Sequence, residues 1–267
     1  MTDEQNPVVE DEPAEGVLRI AINRPEIKNP INAETRGALS EAFNRAQDSA
    51  AIRAIVITGK GGVFCAGGDI RTMGAYNETT ARAMMRNNHK LVRLIRSIDK
   101  PIIAAVEGYA VGAGAGLALL ADTIVAGKGA VLGFPFFRIG LFPDYGILHT
   151  LPLRIGMGKA RQLLLNGRNV KAPEAEALGI FDVVVEDEEV QAEAVRQASS
   201  LAAQPQHALA LVKSALQASY IGADAALDLE LAAQTLSFIT QDHQTGITAF
   251  RAKTAPDFTK GAPDKED

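Results

Sequence analysis

A glycine-rich turn follows a short buried strand in the middle of the chain, between Lys100 and Asp122. Its first part, Pro101 to Val106, is an apolar run typical of a buried strand. The chain then enters the small-residue stretch Gly112 to Gly116, and Leu117 to Leu120 continue as a helix. A strand that turns through glycines into a helix leaves backbone N–H groups free to hold a negative oxygen. This segment therefore predicts either a phosphate-binding turn or an oxyanion hole.

The spacing of the glycines argues against a phosphate-binding turn. Gly112, Gly114 and Gly116 are spaced G-x-G-x-G, which lacks the third glycine of the dinucleotide fingerprint, and no Gly-Lys-Ser/Thr follows. A purely structural alternative is that small residues let the helix lie close to the sheet. A second glycine turn, Phe64 to Ile70 after the strand-like run Ile52 to Thr58, shifts the balance towards an oxyanion hole.

The order of apolar patterns indicates the fold class. Residues Val17 to Ile22 alternate as in a strand, and Asn32 is placed to cap the helix after it. A long amphipathic helix, Thr79 to Ile98, leads into the central strand, whereas Glu188 to Phe250 is almost entirely helical. This order predicts an α/β core with a helical C-terminal extension.

Three regions follow from this pattern. Residues 1–15 hold six acids and no Lys or Arg, so we expect a disordered acidic tail there. The core is expected over 16–195. A helical region over 196–267, broken near Pro205 and Gly222, completes the chain.

Composition excludes several classes of protein. The 267 residues are 47% apolar and 22% charged, as in an ordinary soluble globular protein, with no apolar run long enough to cross a membrane and no basic-then-apolar leader. The formal charge of −5 becomes about +1 without the acidic tail, so no basic field favours nucleic acid. The single cysteine, Cys65, excludes an intrachain disulfide and suits a reducing cytoplasm.

Several motifs together resemble the enoyl-CoA hydratase/isomerase, or crotonase, family. They occur in the family's order along nearly the whole chain: Asn23-Arg24-Pro25 with Asn29 and Asn32, FCAGGDI at Phe64 to Ile70, KPIIAAVEGYAVGAG from Lys100, Gly140 to Gly146, Ala175 to Gly179, and AFRAKTAPDF at Ala249 to Phe258. The resemblance implies a spiral of β-β-α turns, a C-terminal helical region used for oligomerisation, and a homotrimer or dimer of trimers.

The resemblance also implies an acyl-CoA thioester substrate and two backbone donors for its oxygen. These donors would be the N–H groups of Gly68 and Ala113, where small side chains let the thioester approach. Coenzyme A would enter as part of the substrate, with no permanently bound cofactor. The residues expected to contact the substrate or its coenzyme A part are Lys28, Ala66, Asp69, Ile70, Phe136, Tyr145 and, from a neighbouring subunit, Phe250 and Lys253.

The positions of two catalytic glutamates separate hydratases from other members of this family. By resemblance they fall at Gly116 and Phe136, neither of which can hold a proton. We therefore expect weak or absent hydration of 2-enoyl-CoA. Asp144 falls where family isomerases keep the one carboxylate that moves a proton between C2 and C4 of a 3-enoyl-CoA. Nearby phenylalanines would exclude water from the pocket and so raise the pKa of Asp144.

Other interpretations of Asp144 and of the whole chain stay open. Pro143-Asp144-Tyr145-Gly146 is a good turn and Asp a good helix cap, while family dehalogenases use an aspartate nucleophile at this position. Hydration, decarboxylation or thioester hydrolysis through the same enolate are alternatives, as is a non-catalytic acyl-CoA-binding scaffold. Glu107 is a possible second acid, and Cys65 is expected to pack rather than react. The histidines show no metal-ligand spacing: His89, His149, His207 and His243.

Overall fold

The computed structural model describes residues 6–74, 76–217 and 223–259 of the 267. The strands are β1 (Val8–Ala14), β2 (Val17–Ile22), β3 (Ala54–Gly59), β4 (Ile102–Val106), β5 (Tyr109–Val111), β6 (Thr123–Gly127), β7 (Val131–Gly133), β8 (Asn169–Lys171) and β9 (Val183–Val185). The α-helices are α1 (Ala33–Asp48), α2 (Glu78–Ser97), α3 (Ala113–Leu119), α4 (Ile147–Asn166), α5 (Ala172–Ala177), α6 (Val190–Ala202), α7 (Gln206–Gln217), α8 (Ala223–Phe238) and α9 (Gln241–Ala252). Short 3-10 helices occur at Pro25–Ile27, Ile70–Thr72, Pro135–Ile139 and Asp187–Glu189.

A six-stranded sheet in the order β1-β2-β3-β4-β6-β9 forms the centre of the molecule. Strands β2 to β9 in this sheet run parallel, and β3 and β4 are buried along their whole length, as expected for inner strands of a parallel sheet. One face packs against a large core that includes α1, α2 and α3. Val190, Ala194, Ala198 and Ala202 of α6 cover the other face.

The chain alternates between this sheet and a smaller one in the order β5-β7-β8. Strand β4 belongs to the large sheet, and after Gly108 the chain enters β5 of the small sheet and then α3, which makes one β-β-α turn. Gly108 has φ +56, and a Cβ there would lie 2.6 Å from the carbonyl oxygen of Gly62, so a larger residue does not fit. The predicted strand, glycine turn and helix of the central segment are therefore confirmed.

The acidic segment near the N-terminus corrects the sequence prediction. Residues 1–5 of the expected tail lie outside the described residues, but Val8–Ala14 form β1, which pairs antiparallel with β2. Disorder is therefore wrong for this part. Val8 is buried against the core, and two of the acids contact arginines: Asp11 pairs with Arg19 at 2.6 Å, and Glu10 contacts Arg45. The negative charge lies along a sheet edge, where it discourages pairing with another chain.

The helical C-terminal region begins later than the sequence suggested. Helix α6 spans Val190–Ala202 and packs on the sheet through its last turn, so the core continues past residue 195 to Ala202. The predicted break at Pro205 is confirmed, and that at Gly222 lies outside the described residues. Lys213 of α7 attaches this region to the core through a 2.7 Å ion pair with Asp122. No helix in the described part of the chain is long and apolar enough to cross a membrane.

Candidate active site

The two glycine turns lie side by side because their strands are joined by backbone hydrogen bonds. The N–H of Cys65 donates to the Tyr109 carbonyl at 2.8 Å, and the Val111 N–H donates to the Cys65 carbonyl at 3.0 Å. Gly67 has φ +107, and a Cβ there would lie 2.8 Å from the carbonyl oxygen of Val111 and 3.7 Å from the nitrogen of Ala113. Glycine at position 67 is therefore required for the two turns to approach each other.

Gly68 and Ala113, the two residues expected to supply the oxyanion donors, lie at the ends of these turns. Gly68 pairs with Ile31 in an isolated bridge, and Ala113 is the first residue of α3. Neither backbone N–H donates to another group within residues 6–74, 76–217 and 223–259. Two unengaged N–H groups on adjacent turns can bind one developing negative oxygen.

Asp69 turns its carboxylate away from the surface and into the protein. Its oxygens accept hydrogen bonds from Arg71 at 3.0 Å and from Arg24 at 3.0 Å, and the side chain is 2% exposed. The hydrogen bond from Arg71 and then that from Arg24 lower the pKa of Asp69 to about 2, against the opposing effect of burial. Its carboxylate therefore fastens the first glycine turn to the loop after β2, and the expected contact of Asp69 with the substrate stays a prediction.

The other residues expected around coenzyme A in one chain surround the first turn. The Ala66 N–H donates to the Lys28 carbonyl at 2.9 Å, and Ile70 is 61% exposed. The Lys28 ammonium lies 5.4 Å from the ring centre of Tyr109, an exposed residue that the sequence interpretation missed. Lys28, Ala66, Ile70 and Tyr109 thus form one accessible surface next to Gly68.

Of the two positions assigned to hydratase glutamates, position 116 has no room for a side chain and position 136 holds an apolar ring. A Cβ on Gly116 would overlap the Cβ of Tyr145, so Tyr145 occupies the space that a side chain at position 116 would need. Tyr145 adopts φ +52 and is 2% exposed, which makes it a core residue of the site and not an accessible contact. Phe136 is buried, and its ring atoms lie 4.0 Å from the Cβ position of Gly112.

Asp144 stands beside Tyr145 in the turn that precedes α4. Its Oδ1 atom is buried and has no hydrogen-bond partner among the described residues. Burial raises the pKa of Asp144 to about 6, while its own backbone and a hydrogen bond from Asn88 act in the opposite direction. A carboxyl group with a pKa near 6 can both accept and return a proton at neutral pH.

The capping alternative for Asp144 is wrong. The N-cap of α4 is Gly146, with no side-chain hydrogen bond to the helix, and only the backbone carbonyl of Asp144 contacts the first turn. The side chain of Asp144 therefore has no structural role at this helix start.

Glu107 and Cys65 have structural surroundings. Glu107 contacts the Gln191 amide on α6, across the sheet from the glycine turns, and the same amide donates to Thr58 at 2.8 Å. A role as a second acid is therefore not supported by its position. Cys65 is fully buried against Gly114, and burial raises the pKa of its thiol to about 12, which agrees with packing.

Two expected contacts lie apart from this site within one chain. Phe250 is 83% exposed on α9 and Lys253 caps the end of that helix. In the described part of the molecule, no group of three or more His, Cys, Asp or Glu is placed to hold a metal ion.

Three further residues near the site were not singled out from the sequence. The methyl group of Met73 would lie 2.8 Å from a Cβ on Gly68, so this side chain overhangs the first donor. Asn88 is buried in α2 and accepts a hydrogen bond from Arg36 of α1 at 3.0 Å. The signal in the sequence is a polar residue next to apolar or buried helix positions. Asn88 is such a residue in α2, and Arg36 lies beside the buried Thr35 in α1.

The candidate site thus consists of two unengaged backbone N–H groups on a β-β-α scaffold and a buried acid of raised pKa in the turn before α4. The sequence profile described as enoyl-CoA hydratase/isomerase matches residues 12–261, and the chain belongs to this family.

Relatives in this family carry both isomerase and hydratase names. The chain is 36% identical over 249 residues to 1,2-epoxyphenylacetyl-CoA isomerase of Escherichia coli (strain K12), covering 91% of this chain and 95% of that protein. It is 35% identical to crotonyl-CoA hydratase of Syntrophomonas wolfei, covering 95% and 98%.

Solved structures confirm the crotonase fold. An enoyl-CoA hydratase from Bacillus anthracis superposes with a TM-score of 0.91 at 27% identity, covering 94% of this chain and 98% of that one. One from Polaromonas sp. JS666 superposes at 0.89 with 32% identity and the same two coverages.

Proposed function

We propose that the chain is an acyl-CoA isomerase that moves a double bond from the 3 to the 2 position of an enoyl-CoA thioester. The observation that carries this proposal is Asp144, a buried carboxyl with an unpartnered oxygen and a pKa of about 6. Its neighbour Tyr145 touches Gly116, one helical turn after Ala113. The acid and one proposed donor therefore belong to neighbouring parts of the same site.

The proposed reaction needs one base and one oxyanion hole. The thioester oxygen accepts hydrogen bonds from the N–H groups of Gly68 and Ala113. Ionised Asp144 removes a proton from C2, and the electrons pass into a dienolate whose negative charge rests on the thioester oxygen. Protonated Asp144 then gives the proton to C4, which leaves the double bond between C2 and C3 and restores the carboxylate.

The residues at the two glutamate positions favour isomerisation over hydration, because neither can carry a carboxylate. Hydration requires groups that orient and deprotonate a water molecule, but Tyr145 fills the space over Gly116 and Phe136 supplies an apolar ring. The name of the 1,2-epoxyphenylacetyl-CoA relative adds a ring-bearing acyl-CoA as a second substrate type, and the buried aromatic Phe136 suits an apolar acyl group.

The substrate's coenzyme A part is proposed to lie along the surface formed by Lys28, Ala66, Ile70 and Tyr109. The Lys28 ammonium would meet its phosphates, and Tyr109 offers an exposed ring to its adenine. No permanently bound cofactor is needed for the proposed step. A free, buried thiol at Cys65 is compatible with our proposal of a cytoplasmic location.

A homotrimer, or a dimer of trimers, is the proposed assembly. Support comes from the apolar side chains that α8 and the residue after it leave exposed in a single chain, namely Leu227, Leu231, Leu236, Phe238 and Ile239. Exposed Phe250 and Lys253 on α9 would then reach the substrate of a neighbouring subunit.

Product analysis with two substrates tests the proposed reaction. The protein is supplied with trans-3-hexenoyl-CoA or trans-2-hexenoyl-CoA, and products are separated by chromatography. We expect conversion of the 3-enoyl substrate and little hydration of the 2-enoyl substrate. Asp144→Asn, which keeps the shape and removes the base, should lower the isomerisation rate by roughly a hundredfold or more.

The same experiment distinguishes the alternatives. Rapid hydration of the 2-enoyl substrate, unaffected by Asp144→Asn, would contradict the isomerase assignment. Acyl-CoA binding without deuterium exchange at C2 would indicate a non-catalytic scaffold.

A further inference from the structure

The side chain of Met73 lies against the first of the two proposed oxyanion donors. A Cβ on Gly68 would be 2.8 Å from the Met73 methyl carbon, so the end of this side chain contacts the glycine itself. The backbone N–H of Gly68 makes no hydrogen bond with the described residues. The thioether of Met73 is therefore a neighbour of a backbone donor that is still free to bind an oxygen.

A short hydrogen-bonded turn holds Met73 in this place. The 3-10 helix Ile70–Thr72 follows Asp69, whose buried side chain caps it, and the Met73 N–H donates to the Ile70 carbonyl at 3.1 Å. Only five positions separate Met73 from Gly68, and this turn fixes the backbone between them. The position of the Met73 sulfur relative to Gly68 is therefore set mainly by the torsions of its own side chain.

The Met73 sulfur is accessible to oxidants, whereas the only thiol is not. Met73 is 36% exposed, and oxidation of a thioether needs access but no ionisation. Cys65 is fully buried, and burial raises the pKa of its thiol to about 12, so it presents no reactive thiolate. Met84 and Met85 are partly buried in α2, and Met157 is 61% exposed on α4. Of these four described methionines, Met73 is the exposed one that contacts the first glycine turn.

We propose that Met73 is a site of reversible oxidation that blocks the oxyanion hole. Hydrogen peroxide transfers one oxygen atom to the Met73 sulfur: the O–O bond breaks, an S–O bond forms, the sulfur loses two electrons, and the second oxygen leaves as water. The sulfoxide oxygen is a hydrogen-bond acceptor, and it lies where it competes with the thioester oxygen for the Gly68 N–H. This inference rests on the proposed function of Gly68 as an oxyanion donor.

The block is reversible because a sulfoxide can be reduced. A methionine sulfoxide reductase with a thiol as the electron source removes the oxygen as water and restores the thioether. Loss of one oxyanion donor commonly lowers kcat by about a hundredfold or more. A sulfoxide that occupies this donor for most of the time therefore lowers the rate by at least about tenfold.

Peroxide treatment of three proteins tests the proposal. The parent, Met73→Leu and Met157→Leu are exposed to hydrogen peroxide, and oxidation of each methionine is followed by mass spectrometry of proteolytic fragments. We expect kcat/KM for trans-3-hexenoyl-CoA to fall at least about tenfold in the parent and in Met157→Leu as Met73 gains one oxygen. Met73→Leu should keep the rate of its own untreated sample. Methionine sulfoxide reductase with dithiothreitol should restore the parent.

Three results would overturn the proposal. They are inactivation of Met73→Leu at the parental rate, undiminished activity of a parent whose Met73 carries the oxygen, and a Met73 that stays reduced while Met157 is oxidised. If Met73→Leu does not fold, Met157→Leu decides. Its loss of activity must then follow the oxidation of Met73 in time and be reversed by the reductase, and failure of either would refute the inference.

A binding measurement separates this inference from the proposed function. Hexanoyl-CoA has a thioester oxygen but no double bond to move, and its Kd can be measured by calorimetry. We expect the Kd to rise about fivefold or more when Met73 is oxidised. If the untreated parent does not isomerise trans-3-hexenoyl-CoA, the proposed function fails. The Kd then tests the inference by itself, and an equal Kd before and after oxidation would refute it.

Discussion

Asp144 holds an ionisable carboxyl in surroundings that favour its neutral form. Its pKa of about 6 lies above the ordinary value of 3.8, so the folded state binds a proton more tightly than the unfolded chain does. The unfavourable contribution is absent well below pH 4, grows as pH rises from the unfolded pKa of 3.8 to the folded pKa of about 6, and is complete above about pH 7. The readiness to move a proton is therefore accompanied by a loss of stability at neutral pH.

Removing this charge should stabilise the protein in a pH-dependent way. The asparagine side chain that replaces it is neutral at every pH, so we expect Asp144→Asn to raise the free energy of unfolding by about 2 kcal/mol at pH 8 and by about a third of that at pH 4.5. Urea unfolding at both pH values measures this. Asp228→Asn, exposed on α8, serves as the control. A variant less stable than the parent at pH 8 would show that the carboxylate is not penalised by its surroundings.

At the scale of elements, α3 and the turn before α4 are fitted to one another. The backbone of α3 approaches Tyr145 so closely that position 116 can hold only glycine while Tyr145 keeps its place. Position 116 therefore lacks a glutamate, and the packing of Tyr145 also leaves no room for one.

A glutamate introduced at position 116 should therefore destabilise the protein instead of simply converting it into a hydratase. We expect Gly116→Glu to lower the free energy of unfolding by about 1–3 kcal/mol through overpacking. Tyr145→Gly clears the space over position 116 and suits the positive φ of position 145. In a double-mutant cycle, the free energy of unfolding lost by Gly116→Glu and Tyr145→Gly together should therefore be smaller than the sum of the two single losses. Gly37→Glu, at an open position of α1, should cost little. Additive effects of the pair would contradict the contact between them.

Much of this element structure follows from local patterns in the sequence. The mainly apolar runs that form β3 and β4 and the Asn32 cap of α1 depend on residues close together in the sequence, so they could be predicted from it. Strand β1 was missed because its acids resemble those of a disordered tail, whereas its order comes from pairing with β2. The inward turn of Asp69 was missed for the same reason, since Arg24 is 45 residues away in sequence.

At the scale of the whole molecule, the apolar side chains that α8 leaves exposed are not covered by the described part of the single chain. We expect a mass of three or six times 28.3 kDa by light scattering after size exclusion. Leu231→Glu places a charge among these side chains, at a residue that is 70% exposed, and should shift the protein towards monomer. Leu165→Glu is the matched control, because Leu165 is similarly exposed but lies on α4 and not on α8. A monomeric parent would exclude the proposed assembly.

The only cysteine of the chain lies at the centre of the site, in the strand segment that joins the two glycine turns. Its thiol is completely buried and has a pKa of about 12, so a thiol reagent can modify it only after this segment separates from β5. The rate of Cys65 labelling therefore reports how often the active site opens, without any added probe. Bound acyl-CoA, by holding the two turns together, should slow that rate.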